Sequence, residues 1–375
     1  MKIKSQNHIL VNIIILFLAL ISSKTITAQG CVAIKGNATS CMMVHTDSTN
    51  VSQWQFTAGS RYFRSFRHFS GTTENEERLS LGTEVINYST IVDLSLTRII
   101  NNRWSAMVDI PIINNVRSSL YEHGLVNGTY VKRERNTTSS FGIGDIRFAV
   151  YRWLLDPLKN EKINIQLGLG LKLATGDYNY KDYFHNVGPD GTNELRTVDQ
   201  SIQLGDGGTG ITLELNTFYK FKDNFGMYGN FYYLSNPREQ NGTRTYRETL
   251  SSRLANEAIM SVPDQYMARA GFNYSFNQIN GLSLAAGVRL EGIPVYDILG
   301  GSGDFRRPGT ILSIEPTVNY EYKKVTFFAA VPFAVERNRT QSVTDKENSI
   351  IRGTHVQGDA AFADYSINIG ISTRF

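Results

Sequence analysis

The C-terminal stretch Ala363–Phe375, ADYSINIGISTRF, alternates between two kinds of side chain. One set is mainly apolar: Ala363, Tyr365, Ile367, Ile369, Ile371, Thr373 and Phe375. The other set is mainly polar: Asp364, Ser366, Asn368, Gly370, Ser372 and Arg374. A period of two places successive side chains on opposite faces of a β-strand. The stretch therefore predicts an amphipathic strand that ends on a C-terminal phenylalanine.

The same alternation recurs upstream, most regularly at Ile163, Ile165, Leu167, Leu169, Leu171 and Leu173. The segments that share it are Trp54–Phe66, Asn87–Thr97, Trp104–Ile112, Phe141–Leu154, Ile163–Leu173, Ile211–Phe221, Tyr266–Phe276, Leu282–Leu290, Leu312–Tyr322 and Val325–Phe333. Phe225–Ser235 is rich in aromatic residues and fits a strand as well. With the last strand they make about twelve. The sequence thus predicts an all-β fold, a transmembrane antiparallel up-and-down β-barrel whose strands alternate apolar-out and polar-in.

The connections between these segments alternate in length. Tight turns fall at 101–102, 222–224, 277–281 and 323–324, and long polar loops at 67–86, 114–140, 175–208, 236–263, 292–309 and 335–360. Outer-membrane barrels have short periplasmic turns and long outer loops, so an even strand count places both termini on the periplasmic side. Pro316 lies on the lipid-facing register of a strand, where we expect a bulge or a break in the ladder.

The N-terminus indicates export. Lys2 and Lys4 precede the apolar run 9–21, and small residues up to Ala28 follow, which is typical of a secretory signal peptide. We expect a signal peptide 1–28, a short periplasmic segment 29–50 and a barrel 51–375 in the bacterial outer membrane. Without the lysines of the signal, 35 basic residues face 34 acidic ones, and this balance gives no reason to expect nucleic acid as a partner.

Cys31 and Cys41 are the only cysteines of the chain. In an exported protein we expect them to form one disulfide. Two alternatives are open: a soft-metal site with Met42, Met43 and His45, or a lipid on Cys31. The spacing of these residues matches no strict metal motif, and neither a metal ion nor another cofactor is expected.

The C-terminal strand resembles that of bacterial outer-membrane barrels, which implies recognition by the barrel-assembly machinery. A second resemblance rests on motifs that occur in order: FGIGDIRF (141–148), YRW (151–153), LGLGLKLATGDY (167–178), QLGDGGTG (203–210) and YGN (228–230). They resemble the outer-membrane family called MetA-pathway of phenol degradation, best over roughly 141–235. The resemblance implies an outer-membrane transporter. Ala174 stands where the family usually has proline, and the turn near Thr209 departs from a serine-containing pattern.

Charges of both signs fall on the predicted lumen face. The candidate pathway residues are Asp109, Asp145, Arg147, Glu214, Arg269, Arg289, Glu291, Glu315 and Asp364. Alternation places such groups inside but does not say which of them pair. They either line a solute path or form ion pairs that fill a narrow lumen.

The alternative hypothesis is a hydrolase at the outer surface of the barrel. The predicted outer loops hold His68, His123, His185 and His355 together with several aspartates, and His–Asp pairs can activate water. No nucleophile elbow of the G-x-S-x-G kind is present, so no catalytic residue is assigned. The G-x-G-x-x-G match at Gly205–Gly210 precedes a predicted strand instead of a helix, which favours a turn over a dinucleotide site.

The sequence therefore predicts an outer-membrane barrel, embedded in lipid, for passive passage of a small, hydrophobic or aromatic solute. The alternatives are a surface enzyme and a structural or adhesive barrel.

The first testable prediction concerns the N-terminal segment. Mass spectrometry of the mature protein should show Cys31 and Cys41 joined, because the chain crosses an oxidising compartment. A Cys31→Ser/Cys41→Ser variant should still assemble its barrel, since the loop precedes the first strand. Two free thiols, or a lipid on Cys31, would contradict the prediction.

Overall fold

The computed structural model describes residues 54–120, 122–124, 135–247, 250, 252–254 and 256–375. The predicted signal peptide, the periplasmic segment and the Cys31–Cys41 pair lie outside these residues. Within them no helix is both long and apolar enough to cross a bilayer.

The strands are β1 (Trp54–Ser70), β2 (Thr73–Glu74), β3 (Ile86–Ile99), β4 (Trp104–Ser119), β5 (Asn136–Ile143), β6 (Arg147–Trp153), β7 (Ile163–Lys172), β8 (Lys181–Phe184), β9 (Glu194–Thr197), β10 (Gly210–Lys222), β11 (Phe225–Ser235), β12 (Gln240–Arg244), β13 (Ile259–Ser261), β14 (Gln265–Ser275), β15 (Leu282–Ile293), β16 (Gly309–Tyr322), β17 (Val325–Ala330), β18 (Phe333–Arg339) and β19 (Ala360–Arg374). The helices are α1 (Glu76–Leu81) and α2 (Val343–Arg352), with 3-10 turns at Pro189–Gly191, Gln200–Ile202 and Ser252–Leu254.

The wall is a closed antiparallel ring of twelve strands, as the sequence predicts. Around the ring the order is β1, β3, β4, β5 with β6, β7, β10, β11, β14, β15, β16, β17 with β18, and β19. β5 and β6 together make one wall strand, and so do β17 and β18. The ring closes where β19 pairs with β1, from Gln55↔Arg374 to Phe69↔Ala360. Closure pairs most strand edges, because an N–H or C=O left unpaired toward lipid would find no partner. Among the described residues, β5 and most of β18 keep one edge without a strand partner.

Both interrupted wall strands break opposite a proline. The ladder of β16 passes from β17 to β18 at Pro316, whose carbonyl accepts a hydrogen bond from the N–H of Val331 at 3.1 Å. The ladder of β4 passes from β6 to β5 at Pro111, whose carbonyl accepts from Gly144 at 2.8 Å. Proline has no N–H to give to a neighbouring strand. The predicted break at Pro316 is therefore confirmed.

The alternation of the sequence becomes an apolar outer surface. Leu169 is 63% exposed, and Leu167, Leu171 and Leu213 are likewise exposed, as expected of lipid-facing side chains. The polar residues between them face inward, where Gln166 Oε1 accepts a hydrogen bond from Asn216 Nδ2 at 3.1 Å. The predicted two-faced pattern is present in the structure.

Aromatic rings pack against glycines on the inner face. A side chain at Gly168 would have its Cβ 2.6 Å from the ring of Tyr151. A Cβ at Gly271 or Gly287 would lie within 2.8 Å of the hydroxyl of Tyr228. The missing side chains let each ring lie against a neighbouring strand.

The second prediction tests the register of the wall. Leu169→Arg should lower the free energy of unfolding by about 2–4 kcal/mol, because it puts a charge on the lipid face. Gln166→Arg, on the lumen face of the same strand, is the matched control and should cost less. Urea titration of refolded protein in lipid vesicles measures both. Equal costs, or the reverse order, would place the register one residue away.

Candidate functional site

The middle of the lumen holds a belt of paired charges. Glu315 on β16 lies 3.3 Å from Arg269 Nη1 on β14 and 3.2 Å from Arg289 Nη1 on β15. Arg289 also donates to Glu291 on its own strand at 2.7 Å. All four side chains are buried. A buried charge is tolerated when it is paired and hydrogen-bonded, and each of these is.

The opposite wall continues this belt. Arg147 on β6 donates to Asp109 on β4 at 2.7 Å. Glu214 on β10 accepts from the hydroxyl of Tyr151 at 3.1 Å. The predicted pathway residues on these strands thus meet in one lumen, and they are paired as the ion-pair alternative expects. Paired, buried charges of this kind can fill the interior of a narrow barrel.

Asp364 is separate from the belt. Its carboxylate is 37% exposed and lies 2.9 Å from Arg67 and 2.6 Å from Arg337. Two residues of β19, Asp364 and Tyr365, stand opposite one residue of β1, because the register shifts between Phe63↔Ser366 and Ser65↔Ala363. Because of this bulge, strict alternation no longer predicts the direction of the Asp364 side chain. It contacts Arg67 and Arg337 of the wall strands instead of the belt.

Asp145 joins three of the motifs that carry the family resemblance. It follows β5 in FGIGD, and its Oδ1 accepts the N–H of Gly176 at 3.0 Å, which belongs to LATGD. Its Oδ2 accepts the N–H of Asp206 at 3.2 Å, within LGDGG. Lys172 Nζ lies 3.3 Å from the same Oδ2 and also contacts Asp206. One carboxylate thus closes both ends of the long loop between β7 and β10.

Glycine is required at this junction. A Cβ at Gly205 would lie 2.5 Å from Asp145 Oδ1 and 2.7 Å from the carbonyl oxygen of Gly176. No side chain fits so close to another backbone. The glycines of the G-x-G-x-x-G match therefore serve a tight loop closure, as the turn interpretation predicted.

Between these ends the loop folds into the barrel mouth. We call residues 198–207 the inner segment. Leu204 packs on Ile91 and Ile113, two inward-facing residues of β3 and β4. The carbonyl of Ile202 accepts hydrogen bonds from Asn115 Nδ2 at 3.3 Å and from Ser140. The inner segment therefore covers the lumen from the long-loop end.

A buried aspartate fixes the inner segment. Asp199 lies 3.5 Å from Arg117 of β4 and 2.9 Å from Arg307 of the loop after β15. Its side chain is fully buried. Burial alone would raise the pKa of Asp199, but the two guanidinium groups outweigh it and hold that pKa well below its usual value. The attachment is therefore fully charged at neutral pH.

A cavity of about 150 Å³ lies between the inner segment and the belt. Its apolar lining comes from Phe63, Ile91, Ile113, Leu204, Leu234 and Ile293. Ser89, Asn115, Gln200, Gln203 and Gln265 add amide and hydroxyl groups, and Tyr232 lies at the belt side. Five charged side chains also line the cavity: Asp145, Arg147, Lys172, Asp206 and Arg307. The lining thus combines an apolar surface with polar and charged groups, as ligand pockets do.

The wall has a weak seam between β18 and β19. Below it β17 pairs with β19 over six residues, whereas β18 pairs with β19 at Phe333↔Tyr365 alone among the described residues. Arg337 spans the seam instead, donating from Nε to the carbonyl of Ala363 at 3.0 Å. A recess of about 30 Å³ opens there, lined by Phe63, Pro332, Ala334, Ala363 and Tyr365 among others.

Two of the histidines predicted for the outer loops, His68 and His123, are held by their surroundings, and His68 lies at the end of β1 instead of in a loop. His68 Nδ1 lies 3.0 Å from Asp359, but its Nε2 already accepts the N–H of Val85 at 2.9 Å. Burial, and then the neighbouring His185, lower the pKa of His123 to about 4. Both nitrogens of His68 are thus engaged, and His123 is a weak base. No cluster of three or more metal-ligating side chains occurs among residues that the structure describes.

The architecture now has a clear structural relative. The COG4313 outer membrane channel from Pseudomonas putida F1 superposes with a TM-score of 0.54 and 11% identity, over 89% of this chain and 100% of that one. The chain is a bacterial outer-membrane β-barrel. At this identity the likeness shows a shared fold, and it agrees with the predicted localisation.

Two looser matches have TM-scores below 0.5 and carry no argument. The translocator domain of autotransporter NalP from Neisseria meningitidis has a TM-score of 0.43 and 12% identity, over 88% of this chain and 90% of that one. The toluene transporter TbuX from Ralstonia pickettii has a TM-score of 0.41 and 10% identity, over 93% of this chain and 97% of that one. Neither a protein-family model nor a curated protein matches the chain. The sequence resemblance to the MetA-pathway family therefore stays a prediction.

The third prediction tests the belt. Glu315→Gln should lower the free energy of unfolding by about 3–5 kcal/mol, because Arg269 and Arg289 would keep buried charges without their carboxylate. Glu336→Gln, an exposed position on β18, is the control and should stay within about 0.5 kcal/mol of the wild type. Urea unfolding in micelles provides the comparison. A Glu315→Gln protein as stable as the control would show that the belt is hydrated.

Proposed function

We propose that this barrel is a channel for a small, mainly apolar or aromatic solute, which passes between the lumen and the membrane through the seam. The observation that carries the proposal is the position of Phe63. Its ring lines both the recess at the seam and the central cavity. Moving this one side chain would join the two spaces into a path from the barrel interior to its wall.

The belt supports an apolar solute over an ion. Below the cavity, Arg289, Glu315, Arg147 and Asp109 are buried and paired. An ion moving along the axis would have to separate these pairs, and each separated charge would need a new partner. A sideways path avoids that cost. Lipid-soluble molecules gain by leaving into the membrane, whereas hydrated ions do not.

The inner segment defines the entrance. The solute enters from the long-loop end, where Gln200, Gln203 and Leu204 cover the cavity. The polar contacts of Asp199 and Asp145 hold this cover, so entry requires the cover to shift or a gap beside it to widen. The MetA-pathway resemblance and the channel description of the Pseudomonas protein agree with this role. Recognition of strand β19 by the barrel-assembly machinery belongs to the same proposal.

The fourth prediction tests the seam. Ala363→Trp would fill the recess and should reduce uptake of a small radiolabelled aromatic, such as toluene, about tenfold, which corresponds to about 1.4 kcal/mol of added barrier. Ala270→Trp adds the same ring on the lipid face of β14, where Ala270 is exposed, and should leave uptake unchanged. Uptake is measured in cells that carry each variant at equal surface amounts, with folding checked by heat-modifiable gel migration.

A second variant tests the seam even if the Ala363→Trp substitution impairs assembly of the barrel. Phe63→Ala removes the ring between recess and cavity and should speed uptake. If both Ala363→Trp and Phe63→Ala leave uptake at the wild-type rate, the seam is not the route. If uptake is the same with and without the protein, the channel function itself fails, and an adhesive role of the long loops becomes the better explanation.

A further inference from the structure

Four side chains at the short-turn end alternate in type across four neighbouring wall strands. In order around the barrel they are Trp54 on β1, Arg98 on β3, Trp104 on β4 and Arg152 on β6. All four fall on the outward register, in line with Phe56, Leu96, Ala106 and Val150 one step further up their strands. We call these four residues the Trp–Arg row.

The row is built from two cross-strand pairs. Trp54 stands directly opposite Arg98, and the guanidinium carbon lies 4.9 Å from the indole ring. Trp104 stands directly opposite Arg152 at 5.1 Å in the same arrangement. A guanidinium over an indole face is held by cation–π attraction while its N–H groups point away from the ring. Each tryptophan thus orients its arginine and leaves the donors available.

These arginines have no carboxylate partner. Among the described residues, neither Arg98 nor Arg152 lies within 4 Å of an acidic oxygen, although nearly every lumen arginine does. The nearby turn carries Asp156, but Asp156 Oδ1 accepts the backbone N–H of Leu158 at 3.1 Å instead. Arg152 is exposed, and Trp54 and Trp104 are each more than a third exposed. Two positive charges therefore face outward without compensation.

Another part of the same rim is built differently. On β10, β11 and β14 the outward aromatics stack on one another: Phe221 on Phe225 at 5.5 Å and Phe225 on Phe272 at 5.9 Å between ring centres. Among the residues that the structure describes, no arginine or lysine lies over these three rings. A uniform aromatic girdle would be alike all round the barrel. The concentration of arginine on one arc indicates a ligand that carries negative charge.

We propose that the Trp–Arg row binds the phosphate headgroup of an anionic phospholipid, such as phosphatidylglycerol, in the periplasmic leaflet. The row lies where the apolar outer surface ends, which is the level of the headgroups in a bilayer. Guanidinium groups bind phosphate oxygens with paired N–H donors. The acyl chains of the same lipid would lie on the apolar residues above. A lipid would therefore contact both the arginines and the apolar residues above them, whereas free phosphate would contact the arginines alone.

The fluorescence of the two tryptophans in the row can be used to measure lipid binding. The chain has three tryptophans, and the third, Trp153, is half-buried against Phe218 at 6.0 Å. In a Trp153→Phe background, fluorescence reports the row alone. The protein is refolded into phosphatidylcholine vesicles that contain either brominated phosphatidylglycerol or brominated phosphatidylcholine at the same mole fraction. Brominated chains quench a neighbouring indole.

Phosphatidylglycerol should associate with the row about thirtyfold more strongly than phosphatidylcholine, as expected of two arginines that each gain about 1 kcal/mol at an anionic membrane surface. Arg98→Gln/Arg152→Gln should remove this preference. Lys222→Gln/Lys323→Gln, which removes two exposed cations from other short turns, should keep it.

Equal quenching by the two lipids in the parent protein would overturn the proposal. So would a preference that survives in Arg98→Gln/Arg152→Gln, or an equal loss in the lysine variant, which would reveal a general charge effect. None of these results depends on solute uptake, so the lipid site and the channel function stand or fall separately.

Discussion

Closure of the hydrogen-bonded ring is the constraint on which the rest of this molecule depends. Inside a bilayer an open strand edge would leave a row of N–H and C=O groups without partners. The chain meets this demand by pairing β19 with β1 over nearly their whole length, from Gln55↔Arg374 to Phe69↔Ala360. Once the ring is closed, every second side chain of twelve strands must point into one narrow space. The properties of the lumen follow from that crowding.

Crowding explains why the inner charges are paired. Arg269 and Arg289 share Glu315, and Asp109 holds Arg147, because side chains that converge in a narrow lumen leave little room for water. Glycines opposite Tyr151 and Tyr228 show the same shortage of space. A wide pore would keep its charges hydrated. The cavity that remains lies higher, beneath the inner segment, and its lining combines apolar, polar and charged side chains.

Local sequence was enough to predict the wall. Period-two alternation located all twelve wall strands, and the register of Pro316 located a break. The inner segment could not be predicted, because it depends on contacts distant in sequence: Arg117 and Arg307 meet at Asp199 from opposite sides of it in the chain. Asp364 was assigned by alternation, and a bulge changes its position. The three motifs that meet at Asp145 share a Gly–Asp pair in the sequence. That repeat does not show that the three pairs contact one another in the fold.

The two proline breaks differ in the contacts that hold the wall together beside them. At Pro111 the gap is filled by backbone and side-chain bonds from the long loop, including Ile146 N–H to Thr175 Oγ1 at 2.8 Å and Gly176 N–H to Asp145. At Pro316 the partner strand resumes as β18 but pairs with β19 at one position, and side chains such as Arg337 bridge the remainder. Among the described residues β5 pairs with no strand on its β7 side, so these loop contacts replace a ladder there. At Pro316 the replacement is made by side chains, which can change rotamer without breaking a backbone ladder. On the proposal made above, the seam at β18 and β19 is the part of the wall that moves.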